Sequence, residues 1–137
     1  MAKIRRNIIH TYKMHESMKE LGCIYCGKLG QSKDHIPPVS YSDYFDEERI
    51  IVRSCLLCNS LLGNKILLTI LERCDYLLIR YHKRFKSTLS LPIWTESEID
   101  ELTGKLRVKV VMGLKKKKYI EEKILFIKNN ITLLQGY

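Results

Sequence analysis

An α+β fold, mostly helical, is what this sequence predicts, and three observations carry the prediction. Apolar residues recur with helical period near both ends of the chain. The period is lost between residues 22 and 65, where glycines, prolines and a polar run read as turns and short strands. Two CxxC pairs, Cys23/Cys26 and Cys55/Cys58, bracket that irregular stretch. At 137 residues the chain is long enough to hold one core without disulfides. The expected organisation is a single domain over 1–137, divided into an N-terminal helix (1–21), a metal-bound core (22–65) and a helical extension (66–137).

Ile4, Ile8, Tyr12, His15, Met18 and Leu21 fall on one helical face. Residues 3–20 are therefore expected to form an amphipathic helix with a basic outer face, stopped by Gly22. Between the cysteine pairs Gly27, Gly30, Pro37, Pro38 and the polar run Ser40 to Glu48 break any helix, and Ile50-Ile51-Val52 is the best strand. Beyond Cys58 the helical period returns through Ile66, Ile70, Cys74, Leu77, Tyr81 and Phe85, which predicts a long helix over 64–86 with Cys74 in the core. Pro92 closes that segment, and Thr95-Glu96-Ser97-Glu98 has the form of a capping box, with Trp94 and Ile99 placed as its hydrophobic staple, so a short helix begins at Glu96. After Gly104 the stripe from Leu106 and Val110 to Ile127, Ile131 and Leu134 predicts a last helix, with one slip in register near Lys115 to Lys118.

Five cysteines in a chain whose first residues lack an export-type apolar run argue against a disulfide framework. Two CxxC turns with 28 residues between them suit a zinc ion, which takes four soft thiolates in a tetrahedron. A redox CxxC would use one pair at the start of a helix, and packed thiols would have no need of the spacing. A zinc ion held by four cysteines has no open position for water, so its expected role is structural.

Lys and Arg number 24 against 15 Asp and Glu, a formal charge of +9, and zinc with four thiolates would bring this to about +7. A polyanion is the partner class this balance favours. The longest uncharged stretch, Ser54 to Asn64, falls short of the roughly 18 residues of a membrane span, so no membrane is expected and the expected location is cytoplasmic. Only residues 34–60 are acidic, with 5 acidic and 2 basic groups. A carboxylate-rich island in a basic chain suits a divalent cation beside bound phosphate; chance clustering in a loop is the plain alternative.

CIYCG at 23–27, then Lys33-Asp34-His35-Ile36-Pro37-Pro38, then CLLCN ending at Asn59, together resemble the HNH endonucleases, the zinc-supported members of the ββα-metal nucleases, in the variant written DH…N. The resemblance spans Leu21 to Lys65, under half of the chain. It implies a small ββα-metal, treble-clef-like zinc core clamped by Cys23, Cys26, Cys55 and Cys58. It further implies that Asp34 and Asn59 hold one catalytic Mg2+ or Mn2+ ion, and that His35 is the general base that activates water. Adjacent residues of a strand face opposite ways, so a bend near Pro37-Pro38 would have to bring Asp34 and His35 to one cleft. The family's usual middle Asn has no counterpart in Glu48 to Val52, and Leu62 stands where a Lys is usual, with Lys65 nearby. Out of this context Asp34 and Asn59 are both ordinary helix caps, and Tyr41, Tyr44 and Phe45 are more plainly packing groups than base-stacking ones.

The resulting expectation is a metal-dependent endonuclease that hydrolyses DNA, with RNA also compatible with the charge. Lys33, Lys65, Arg80, Lys83, Arg84 and Lys86 are the candidate phosphate contacts, and Lys3, Arg5 and Arg6 could serve equally. The alternative from another class is a catalytically inactive zinc-stabilised module that binds nucleic acid or acts as an adaptor. Oligomeric state leaves no sequence signal.

Overall fold

The computed structural model describes residues 12–44 and 48–136. The expected N-terminal helix over 1–11, the basic Lys3, Arg5 and Arg6, and Phe45 lie outside the described residues. The best strand candidate is the centre of the fold: β3 (Ile50–Ser54) is the middle strand of a three-stranded sheet. On one side β2 (Ser32–Ile36) pairs antiparallel to it, from Ser32↔Ser54 to Ile36↔Ile50. On the other, β1 (Lys13–Met14) pairs parallel, Lys13 with Ile50 and Met14 with Ile51. Side chains alternate along a strand. Ser32, Asp34, Ile36, Val52 and Ser54 therefore share one face, and Lys33, His35, Ile51 and Arg53 the other.

β1 overturns the second half of the expected N-terminal helix. The Lys13 N–H donates to the Arg49 carbonyl and the His15 N–H to the Ile51 carbonyl, both at 2.9 Å. An unpaired strand edge offers these acceptors at once, whereas a short helix must first pay for nucleation. A single 3-10 turn, Glu16–Lys19, follows, capped by His15, whose Nδ1 accepts from the Ser17 N–H. A second 3-10 turn, Val39–Tyr44, follows the cis Ile36–Pro37 bond.

The helix expected over 64–86 begins only at Ile70, and a separate short helix precedes it. α1 (Leu56–Leu62) begins at Cys55 and ends at Gly63, whose φ of +53° is open to glycine without steric cost. An irregular segment then leads to α2 (Ile70–Arg84), opened by Thr69, whose hydroxyl accepts from the Glu72 N–H. Ile66 and Ile70 stand four apart by coincidence and carry the helical period across this break. α2 gives way at Phe85 to one further turn, α3 (Lys86–Leu89).

The expected capping box is present at α4 (Glu96–Asp100): the Thr95 hydroxyl accepts from the Glu98 N–H, and Glu98 Oε1 from the Thr95 N–H. α5 runs unbroken from Gly104 to Gln135, without the expected register slip. α5 packs on α2, α3 and α4, with α2 the most extensive of these contacts. Ile120, Ile124 and Ile127 of α5 meet Leu77, Cys74 and Val52 in the core. Among the described residues no helix is long and apolar enough to cross a membrane.

Candidate metal centre and the site around His35

The first CxxC pair sits on a tight knuckle. The Cys23 N–H donates to the Lys28 carbonyl, the Gly27 N–H returns to the Cys23 carbonyl, and Gly22 bridges Leu29. Gly27 has φ of +78°, and a Cβ there would stand 2.6 Å from the Phe126 ring, so the turn and its contact with α5 both require glycine. The second pair opens α1. Cys55 is its N-cap, and its Sγ accepts from the Cys58 N–H at 3.3 Å. Strands β2 and β3 lie between the pairs and bring the knuckle and the helix start together.

All four Sγ atoms lie within 4.8 Å of one another, with Cys26 and Cys55 3.6 Å apart. Metal–sulfur bonds of about 2.3 Å imply a tetrahedral edge of about 3.8 Å, so the spacing fits zinc. The four cysteines are buried and could hold one zinc ion. Their crowding splits the thiols: contact with Cys23 holds Cys55 far below the free-thiol range and Cys26 down at about 7, whereas Cys26 drives Cys23 up and Cys23 drives Cys58 up. The fifth cysteine, Cys74, is fully buried on α2, as expected, and burial pushes its thiol up to about 12.

Two polar groups that sequence reasoning missed close over the sulfurs. Lys123 of α5 is 1% exposed, and its Nζ donates to Cys55 Sγ at 3.3 Å, Cys26 Sγ at 3.5 Å and Tyr81 Oη at 3.4 Å. Tyr81 Oη lies 3.0 Å from Cys58 Sγ, and burial raises its phenol. Burial alone would lower the Lys123 ammonium; the sulfurs of Cys26, Cys55 and Cys58 outweigh it and raise it. The available signal was a lysine on an apolar stripe, since Ile120, Lys123, Ile124 and Ile127 share one face.

Asp34 and His35 stand on opposite faces of β2, which stays regular through Ile36, so the expected bend does not bring them to one cleft. Asp34 turns inward. Its Oδ2 accepts from Arg73 Nη1 at 2.6 Å and from the Tyr25 hydroxyl at 2.5 Å. Arg73, 2% exposed, also donates from Nε to the Leu67 carbonyl and from Nη2 to the His35 carbonyl. One guanidinium thus ties β2 to α2 and to the segment between α1 and α2. Burial, with the Asp34 carboxylate alongside, raises the Tyr25 phenol well above its usual value, against the opposing pull of Arg73.

Asn59 lies inside α1 and is not a helix cap; that position belongs to Cys55. Its Nδ2 reaches Ser32 Oγ at 3.5 Å, on the Asp34 side of the strand and away from His35. His35 is half-buried with Tyr12 edge-on to its ring at 5.0 Å, and Tyr12 itself donates to the Pro37 carbonyl. Burial lowers the His35 pKa, reinforced by Lys33 and opposed by Asp34, so the imidazole is neutral at pH 7. The structure therefore joins the four cysteines, and joins Asn59 to Asp34's face, but does not gather Asp34, His35 and Asn59 around one point. With Oδ2 of Asp34 committed to Arg73 and Tyr25, the donors do not form a complete magnesium site.

The candidate phosphate contacts are spread over several elements. Lys33 is exposed on the His35 face, and Lys65 follows α1 with its Nζ 5.5 Å above the Tyr76 ring. Arg80, Lys83 and Arg84 lie on α2 and Lys86 on α3; all but the half-buried Arg80 are exposed. Because α1 and α2 are separate, this group is not carried on one rigid helix from the second cysteine pair. Comparison with protein-family models, curated proteins and solved structures finds no match.

Proposed function

We propose that this chain is an HNH-type nuclease, a zinc-stabilised core that hydrolyses phosphodiester bonds with His35 as general base. The observation that carries the reading is the order of parts: a cysteine knuckle, a hairpin whose first strand bears Asp34-His35, and a helix that opens on Cys55 and Cys58 and carries Asn59 next. In this reading zinc holds the hairpin against the helix and takes no part in the reaction. Neutral at pH 7, the His35 imidazole takes the proton from an attacking water. Exposed Lys33 beside it holds phosphate. Asp34, tied to Arg73, sets the position of the strand.

One observation favours a second reading, a zinc-stabilised nucleic-acid-binding module without turnover: the carboxylate that should hold a divalent ion is spent in a buried ion pair. A nicking assay on supercoiled plasmid with magnesium, manganese or chelator separates the two. Metal-dependent nicking that disappears in His35→Ala, with zinc content and DNA affinity unchanged, is expected of the nuclease. Salt-sensitive binding with no nicking in any metal selects the module.

A further inference from the structure

Lys123 presents a physical problem that the cysteine cluster solves. An ammonium withdrawn from water is costly unless an anion meets it. Lys123 is 1% exposed, and among the described residues no carboxylate forms an ion pair with it. Its hydrogen-bond partners are Cys55 Sγ, Cys26 Sγ and Tyr81 Oη, and the faces of Tyr119 and Tyr81 stand 5.1 and 5.7 Å from its Nζ. Four neutral thiols would leave that charge unmatched. Four thiolates on one divalent zinc ion carry a net charge of −2, equally costly to bury alone. The ammonium and the loaded cluster each supply what the other lacks.

We propose that Lys123, positioned with Tyr81, is the built-in counter-charge of the metal centre, so that zinc binding and the seating of α5 on the core are one event. The proposal rests on the reading of the cluster as a zinc site, and is independent of any nuclease activity. The three sulfurs with outside donors receive them from both halves of the chain's helical extension: Lys123 of α5 on Cys26 and Cys55, Tyr81 of α2 on Cys58. Such partners of metal ligands commonly carry about 10- to 100-fold in metal affinity. Their placement here also explains why a lysine occupies the buried face of α5 between Ile120 and Ile124, where an apolar residue would otherwise pack.

The test is zinc-dependent refolding of the full chain under a competing chelator, read by far-ultraviolet circular dichroism, with cobalt substitution as an independent readout. Lys123→Met keeps an unbranched side chain one atom shorter and removes its charge; it is expected to raise the free zinc needed for half refolding by about 10- to 100-fold. It is also expected to move the sulfur-to-cobalt charge-transfer band to lower energy, because the sulfurs lose a donor. Tyr81→Phe should move the same band by less, and Lys128→Met, on the exposed side of α5, should change neither. A Lys123→Met protein with zinc affinity within twofold of wild type and an unmoved band overturns the proposal while leaving the zinc site intact. A wild type that binds no zinc overturns both. Should Lys123→Met fail to fold at saturating zinc, the band in Tyr81→Phe decides: displacement supports the proposal and an unchanged position overturns it.

Discussion

Replacing Arg73 with Met tests the most heavily buried ion pair among the described residues. The guanidinium is 2% exposed and Asp34 8%, so the change leaves a carboxylate inside the core with only the Tyr25 hydroxyl to meet it. Removing one partner of a buried pair costs about 3–5 kcal/mol, chiefly the penalty of the charge left behind. The Leu67 and His35 carbonyls lose their donors as well. Against a total stability of about 5–15 kcal/mol this is a large fraction, equivalent to a fall in melting temperature of about 10–20 °C. Urea unfolding of the zinc-loaded protein measures it. Asp34→Leu combined with Arg73→Met removes both charges and should recover most of the loss, so the double-mutant cycle should be strongly non-additive. A cost under about 1 kcal/mol for Arg73→Met, or additivity in the cycle, would refute the argument that Asp34 is held by Arg73. It would return the carboxylate to the ion-binding role that the sequence suggests.

Two further outcomes follow from the same geometry. Metal analysis should find about one zinc per chain, and Cys58→Ser or chelation should unfold the protein, because binding energy for such a site is folding energy; a zinc-free chain with unchanged melting would remove the metal centre. For His35 the pKa is lowered by burial, so the unfolded chain binds the proton more tightly. Stability attributable to this residue is therefore full above the unfolded value of about 6.5, and declines as pH falls toward the folded value. The wild-type minus His35→Gln difference in urea midpoint should shrink from pH 7.5 to 5.5, while a flat difference would place the imidazole in water.

The four-cysteine cluster was legible because its chemistry is local. Cys23/Cys26 and Cys55/Cys58 each form one turn, and the spacing within a turn is the geometry of two ligands. The Thr95–Glu98 capping box was legible for the same reason: every group in it lies within four residues. The Thr69 cap of α2 is equally local, but the apolar period that runs through Ile66 and Ile70 by chance placed the expected helix start six residues too early.

What the sequence by itself determined is thus the set of short-range constraints: an α+β chain, four cysteines suited to zinc, a strand at Ile50 to Val52, and an amphipathic, largely helical C-terminal half. Only the tertiary structure decided which charges meet. Lys123 is 68 residues from Cys55, and Arg73 is 39 from Asp34. No periodicity encodes either pairing, because it depends on where α5 and α2 come to rest against the sheet. Tertiary contact also decided that Lys13 and Met14 join β3, since the edge carbonyls of that strand lie far along the chain. It decided, too, that Asp34 and His35, neighbours in sequence, serve opposite faces: a regular pleat separates adjacent side chains, and the partner waiting on each side sets what each can do.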